Sequence, residues 1–505
     1  MDNNKKHIAS FSNSPLLGEL EGAFISLQNV CVTQYSKNVV NNISFTLIAN
    51  EHLAIIGESG SGKTVLAKAI AGQLFSKGNI QINYSKNNYL QNKIVFVEYT
   101  EAYKNLSNIS DFYYQQRFNS CDANDANTLQ QELEKIITPI SQVNILLEKF
   151  NLLHRINTPL IQLSNGEQKK LQIIKALIQQ PKILILDKVF TGLDANSRKE
   201  LEQLLYNIST EGTTIILITD ENNIPSFIIH IAELSNGNLI QFTQKENFKL
   251  SSTKNISYKQ NKIPIVQHSK AFHSIVSMKN VSVNYTNKTI LNNINWQVKQ
   301  GERWLIKGAN GAGKSTLLSL VTGDNPQAYA NEIYLFDKKR GSGESIWELK
   351  SKIGFVSPEL HKYFDKSISI EHVVASGFYD TIGLYKSITA QQKEDIKQWL
   401  DFFGLSHVRN KSLSAVSTGE QRLALVARAF VKNPPLLVLD EPCQNLDANH
   451  IQQIIQLINN ICSQTNTTII YVSHYANEVP DCITNVLELN NGIATIYTKE
   501  KFKVA

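Results

Sequence analysis

The sequence predicts an α/β protein built from two tandem domains of one kind, and three observations predict it. A β-branched apolar run passes through a glycine-rich loop into a helical pattern twice, as HLAIIGESGSGKTVLAKAIAG from His52 and WLIKGANGAGKSTLLSLVTG from Trp304. An apolar run ending in aspartate also occurs twice, as ILILD (183–187) and LLVLD (436–440). The copies keep one period, since Lys63 and Lys314 lie 251 residues apart and Asp187 and Asp440 lie 253 apart. A period that long marks tandem domains, because solenoid repeats run to roughly 20–50 residues. A unit of about 225 residues can bury its own core.

The chain divides accordingly. Residues 1–23 read as a polar extension, 24–247 as the first unit, 248–275 as a linker and 276–505 as the second unit. The linker carries five lysines and no acid. Fully extended it spans roughly 95 Å at ~3.4 Å per residue, enough for one domain to face the other.

The glycine loops match G-x-x-x-x-G-K-[ST] from Gly57 to Thr64 and from Gly308 to Ser315. Gly57, Ser59, Gly60 and Gly62 shape the first loop; Gly308, Asn310, Gly311 and Gly313 shape the second. Such loops turn consecutive backbone N–H groups inward around phosphate oxygens, and the helix N-terminus adds its positive end. Lys63 or Lys314 then reaches the β and γ phosphates, and Thr64 or Ser315 is placed to ligate Mg²⁺, with Thr316 next on the second helix. A lone match can be an ordinary turn, whereas two matches, each between strand and helix, point to nucleotide.

About one hundred residues after each loop stand LSNGEQKKLQIIKAL (163–177) and VSTGEQRLALVARAF (416–430), short polar turns opening amphipathic helices. Ser164 and Ser417 are natural N-caps. Their hydroxyls and the Gly166 and Gly419 amides, beside Glu167 and Glu420, can bind a further phosphate at the positive helix end. At the strand ends, Asp187 and Asp440 can hold Mg²⁺ through water, and a glutamate in the next position can orient an attacking water. The second copy has that glutamate, Glu441; the first has Lys188.

These motifs, in this order, resemble ATP-binding cassette (ABC) ATPase domains, each a RecA-like mixed sheet of the P-loop NTPase type with a helical subdomain. The resemblance covers nearly the whole chain, with Walker A, signature, Walker B, D-loop (Gly192-Leu193-Asp194 and Asn445-Leu446-Asp447) and switch segment present twice. It implies an intramolecular head-to-tail sandwich in which ATP on one Walker A is closed over by the signature of the other cassette. Tyr35 and Tyr285 match the aromatic position that stacks on adenine, though a strand-edge tyrosine packing on its neighbours reads the same way.

The implied sites are unequal. The Lys314 site has Asp440, Glu441 and the switch residue His474, facing Ser164, Gly166 and Glu167, which is every part hydrolysis needs. The Lys63 site faces Ser417, Gly419 and Glu420, but has Lys188 for the glutamate and Asp220 for the histidine. A lysine ammonium has only donors and cannot accept a proton from water. ATP and Mg²⁺ are the expected cofactors, with Thr64, Asp187, Ser315 and Asp440 as metal ligands.

The family usually has a glutamine at the end of the strand preceding the helical subdomain, and KIVFVEYTEAY (93–103) and KIGFVSPELHKYF (352–364) have none. Glu98 or Glu359 can supply a carboxylate oxygen there. The run from Gly323 to Ser357 and SGFYDTIGLY from Ser376 narrow the resemblance to twin-cassette ATPases associated with molybdate transport, the ModF and PhrA type. That resemblance implies an ATPase working with separate membrane permease subunits. A soluble non-transport ATPase with a regulatory, stress, repair or translation-linked role is the alternative. The short linker speaks against ribosome-bound translation factors, and the 101 residues from Lys63 to Ser164 leave no room for the coiled coils of DNA-repair ATPases, so ribosome and nucleic acid are not expected partners.

Composition sets the remaining bounds. With 42% hydrophobic and 19% charged residues and apolar stretches far below the ~18 needed to span a bilayer, no fused membrane domain is expected. The start MDNNKKHIASFSNSP lacks an apolar signal core, and five scattered cysteines without metal-type spacing fit reduced thiols. The expected location is cytoplasmic, including the inner face of the membrane. A net charge of +6, spread along the chain, reads as surface solvation.

Overall fold

A computed structural model describes residues 24–499 except 35–36, 49, 84–93, 99–125, 137–139, 161–162, 250–262, 265–270, 286–287, 359, 361–363 and 445. Tyr35, Glu359, Asn445, the N-terminal extension and most of the linker therefore lie outside the described residues.

In the first half the strands run β1 (Phe24–Gln34), β2 (Lys37–Leu47), β3 (Leu53–Gly57), β4 (Lys77–Asn83), β5 (Ile94–Glu98), β6 (Ile183–Asp187), β7 (Thr214–Ile218), β8 (His230–Ser235) and β9 (Asn238–Gln244). They form an antiparallel layer ordered β2-β1-β4 and a six-stranded sheet ordered β5-β6-β7-β3-β8-β9, parallel except for its β8-β9 hairpin.

The second half repeats this with β10 (Val276–Tyr285), β11 (Lys288–Val298), β12 (Arg303–Lys307), β13 (Glu332–Leu335), β14 (Lys338–Lys339), β15 (Ile353–Val356), β16 (Leu436–Asp440), β17 (Thr468–Val472), β18 (Asn485–Asn490) and β19 (Ile493–Thr498). Its layer is ordered β11-β10-β13-β14 and its sheet β15-β16-β17-β12-β18-β19.

The unbroken apolar runs are the central parallel strands, since a parallel strand covered on both faces has no polar side to show. All five residues of β6 and the first four of β16 are buried. One face of each sheet packs on its antiparallel layer, with Leu66, Ile183 and Ile216 in one core and Leu317, Leu436 and Ile470 in the other. The opposite face packs on helices, joining Leu184 to Leu171 and Leu437 to Leu425. The aspartates thus end strands anchored on both faces. Parallel pairing sets Asp187 beside Glu98 and Ile218, and Asp440 beside Val472. Among the described residues no helix is long and apolar enough to cross a membrane.

Candidate functional site

Each P-loop joins a buried strand to a helix, β3 to Lys63–Ile70 and β12 to Lys314–Val321. The caps Gly62 and Gly313 sit at φ 96° and 103°, in the left-handed region that disfavours a side chain. A Cβ on Gly62 would lie 2.8 Å from the Val39 carbonyl oxygen, so the loop folds flat against β2 only with glycine there. The lysines bend back over their loops. Lys63 Nζ donates to the carbonyls of Gly57 (2.6 Å) and Glu58 (2.7 Å), Lys314 Nζ to those of Gly308 (2.7 Å) and Ala309 (2.9 Å).

The strand-end carboxylates meet the helix starts. Thr64 Oγ1 donates to Asp187 Oδ2 at 2.7 Å, while Asp187 Oδ1 is buried without a hydrogen-bond partner. Burial pushes the Asp187 carboxyl up, against Thr64, Lys188 and Lys63. A buried carboxylate oxygen without a donor, beside a threonine hydroxyl, fits a hard cation with oxygen ligands. Ser315 is exposed at the matching place in the second half.

The residues after the two aspartates define the difference between the halves. Lys188 and Glu441 share one backbone state, with φ 53° and 44°, and each N–H donates at 3.0 Å to the neighbouring strand, at Ile218 and Val472. Glu441 Oε1 lies 3.0 Å from His474 Nε2, an ion-pair distance off the axis of a good hydrogen bond. Burial alone would push the Glu441 carboxyl up, but His474, Lys314 and Arg422 outweigh it and hold it below the ordinary range. In the first half the carboxylate and the nitrogen side chain change places. Burial raises the Asp220 carboxyl, with Lys188 the strongest opposing influence. Burial also pulls the Lys63 ammonium down to about 8, with Lys188 adding to the effect and Asp220, Asp447 and Asp187 resisting it. A buried ammonium with a second, half-buried lysine close enough to repel it forms a seat for a polyanion. Lys314 is lowered by burial too, but its charged neighbours Glu441, Asp440 and Asp194 all favour the cation.

The signature helices Asn165–Leu177 and Thr418–Phe430 both open with a capping box. Ser164 accepts from the Glu167 N–H and Ser417 from the Glu420 N–H, while Glu167 and Glu420 reach back to the serine N–H groups. These serine hydroxyls serve their own helices here. Five residues beyond each cap is a buried cation that sequence reasoning did not single out. Lys169 Nζ donates to the Val189 carbonyl at 2.9 Å and to that of Thr191. Arg422 donates to the Pro442 carbonyl at 2.8 Å, the Ser357 carbonyl at 3.2 Å and the Glu441 carbonyl. The signal available was a lysine or arginine on an otherwise apolar helix face.

The halves meet head to tail through their D-loops. Asp447 Oδ2 accepts from the Ser59 N–H at 2.5 Å, and Asp194 Oδ2 accepts from the Asn310 N–H at 3.0 Å. Asn310 Nδ2 also donates to the Gly192 carbonyl (3.4 Å), Asn449 Nδ2 to Glu58 Oε1 (2.9 Å) and the Tyr475 hydroxyl to the Leu193 carbonyl (3.3 Å). A cavity of about 690 Å³ between the halves is lined by Gly192, Asp220 and Glu233 from one and by Glu441, His474 and Glu478 from the other. Away from the interface, Tyr285 is half-buried against the second antiparallel core, its hydroxyl accepting from Asn325 Nδ2 at 3.0 Å. Glu98 pairs with Lys68 at 2.6 Å.

The chain matches the ABC transporter family twice, at residues 40–191 and 291–444. It is 35% identical over 459 residues, 88% of this chain and 92% of the relative, to the ABC transporter ATP-binding protein ModF of Escherichia coli. It is 31% identical over 500 residues, 94% of this chain and 99% of the relative, to an ABC transporter ATP-binding protein of Schizosaccharomyces pombe. Among solved structures, a ribosome-bound archaeal complex of Pelota and ABCE1 superposes with a TM-score of 0.61 over 93% of this chain and 79% of that one, at 15% identity, which is a likeness of fold alone. With two family matches and two P-loops, each held by the other half's D-loop, the chain belongs to the ABC transporter family as a twin-cassette ATP-binding protein.

Proposed function

We propose that the chain is a MgATP-driven ATPase with one working site and one holding site, energising or regulating a transport process through separate membrane subunits. The carrying observation is the exchange of Glu441 and His474 for Lys188 and Asp220 in otherwise matching surroundings. At the Lys314 site, Glu441 is held ionised beside His474 and is the carboxylate available to orient an attacking water. Asp440 and Ser315 would hold Mg²⁺, whose charge offsets that developing on the transferred phosphoryl group. At the Lys63 site, Thr64, Asp187, Lys63 and Lys188 supply the means of binding a magnesium polyphosphate, but the position after the strand end offers only donors. Glu441→Gln should therefore lower turnover by at least ~10² while nucleotide still binds, the usual loss for a positioned base or water-orienting group. Near-normal steady-state hydrolysis in that variant would overturn the assignment.

The resemblance to molybdate-associated twin cassettes supports a molybdate-linked transport role. A soluble regulatory ATPase is the second reading, favoured by the strand end at Glu98, where the carboxylate pairs with Lys68 in place of the glutamine usual in transport cassettes. Isolation of the intact chain from its native host separates them: membrane subunits in the complex support transport, and a complex without them supports the soluble role.

A further inference from the structure

On the D-loop side, the segments Asp194–Ser197 and Asp447–His450 differ in their last residue alone. Asp194 Oδ1 accepts from the Ser197 N–H at 2.9 Å, and Asp447 Oδ1 accepts from the His450 N–H at the same distance. The His450 ring adds a second bond, with Nδ1 2.8 Å from Asp447 Oδ1. That ring lies directly over the signature glycine. A Cβ on Gly419 would come within 2.2 Å of His450 Nε2, whereas one on Gly166 would stand 3.9 Å from Ser197 Oγ. His450 thus fills the space between the second signature and the second D-loop. Through Asp447 it bears on the Ser59 N–H of the opposite P-loop. Its neighbour Asn449 reaches the same loop at Glu58.

We propose that His450 is a positioning residue of the Lys63 site. Its imidazolium fixes Asp447 on the opposite P-loop, so the grip on the nucleotide follows the charge of that ring. The inference rests on reading the Lys63 site as one that retains ATP.

Three carboxylates surround the ring from three elements. Asp447 belongs to its own D-loop, Glu420 to the signature helix and Glu58 to the P-loop of the other half. His407 Nε2 lies 3.1 Å from Glu420 Oε1. Burial disfavours the charged ring, yet the hydrogen bond and charge of Asp447, with Glu420 and Glu58, hold His450 above the usual imidazole range. Burial likewise works against the Asp447 carboxylate, which His450 and the Ser59 N–H nevertheless hold at about 2. A neutral ring can still donate to Asp447, but a charge-assisted bond is roughly twice as strong as a neutral one. Losing the charge also leaves Glu58 of one half facing Glu420 and Asp447 of the other without the imidazolium that interacts with all three. Because the histidine is raised above its ordinary value, the stabilisation is complete below about pH 6.5 and is lost as pH rises through the raised value.

The test follows release of labelled ATP from the intact chain after rapid removal of free nucleotide, at pH 6.5 and 8.5. Lys63→Ala in parallel assigns the retained label to this site. Release should be about tenfold faster at the higher pH, the worth of exchanging a charge-assisted bond for a neutral one. In His450→Gln it should be fast at both, with turnover at the Lys314 site reporting that the variant is folded. Equal release at both pH values in the unmodified chain, or an unchanged pH dependence in His450→Gln, overturns the role of His450 and leaves the holding site intact. Absence of retained label at pH 6.5 overturns both.

Discussion

At Lys188 and Asp220 the first half carries the Glu441–His474 pair with carboxylate and nitrogen side chain exchanged. The exchange puts a group with only donors where the second half has a carboxylate. A single reversion undoes only half of it. Lys188→Glu would set a third carboxylate beside Asp187 and Asp220, both already pushed up by burial and both now favoured by Lys188. Buried like charges disfavour ionisation. In a Glu441→Gln background, Lys188→Glu alone should therefore restore little hydrolysis, whereas Lys188→Glu with Asp220→His rebuilds the pair and should recover at least ~10-fold over the single change, a small part of the 10²–10⁴ such groups contribute. Single-turnover hydrolysis of labelled ATP distinguishes these outcomes. Full rescue by Lys188→Glu, or two equal phases in the unmodified chain, would show that the first site is catalytic as it stands.

Among the elements, the two signature helices are each tied down by a buried charge. Arg422 ties the second signature helix to the carbonyls of Ser357, Pro442 and Glu441, and Lys169 makes the corresponding tie in the first half. Arg422→Met leaves buried carbonyls unpaired and should cost about 2–3 kcal/mol, read as a lowered calorimetric transition of the second half. Arg422→Lys should keep much of that, since a lysine already does this work at position 169; equal loss in both variants would mean that the guanidinium geometry, not the charge, is what matters. This tie also marks where sequence reading stops. The P-loops, the strand-end aspartates and the capped signature helices are local patterns, so the residues themselves announce them. Arg422 follows an ordinary capping box, and only the fold reveals which carbonyls it reaches. The Ser59–Asp447 bond joins residues 388 apart, a separation at which no periodicity carries information. Tyr285 was legible as an aromatic at a strand edge, but not its bond to Asn325.

For the whole molecule, the reciprocal clamps make each site a product of both halves. Asp194 on Asn310 and Asp447 on Ser59 close the sandwich within one chain, so pairing of separate chains is not needed to complete a site. The intact chain should bind two MgATP and remain monomeric on closing. Equilibrium binding with small-angle scattering checks this, and a stoichiometry of one, or strictly ATP-dependent pairing of chains, would contradict it.

The short span from Glu441 to Asp447 couples these scales. It leaves the strand end at one site and reaches the opposite P-loop six residues later, braced by the bonds from the Gln444 N–H to the Glu441 carbonyl and from the Leu446 N–H to the Cys443 carbonyl. On the proposed division of labour, a shift of Glu441 when phosphate leaves would pass along this turn to Asp447, the residue clamped on the Lys63 loop. If that side keeps its nucleotide, the halves cannot part symmetrically. They would then swing about the Lys63 site as a pivot, opening only at the Lys314 edge, one stroke for each ATP cleaved, and the molecule would reset without coming fully apart.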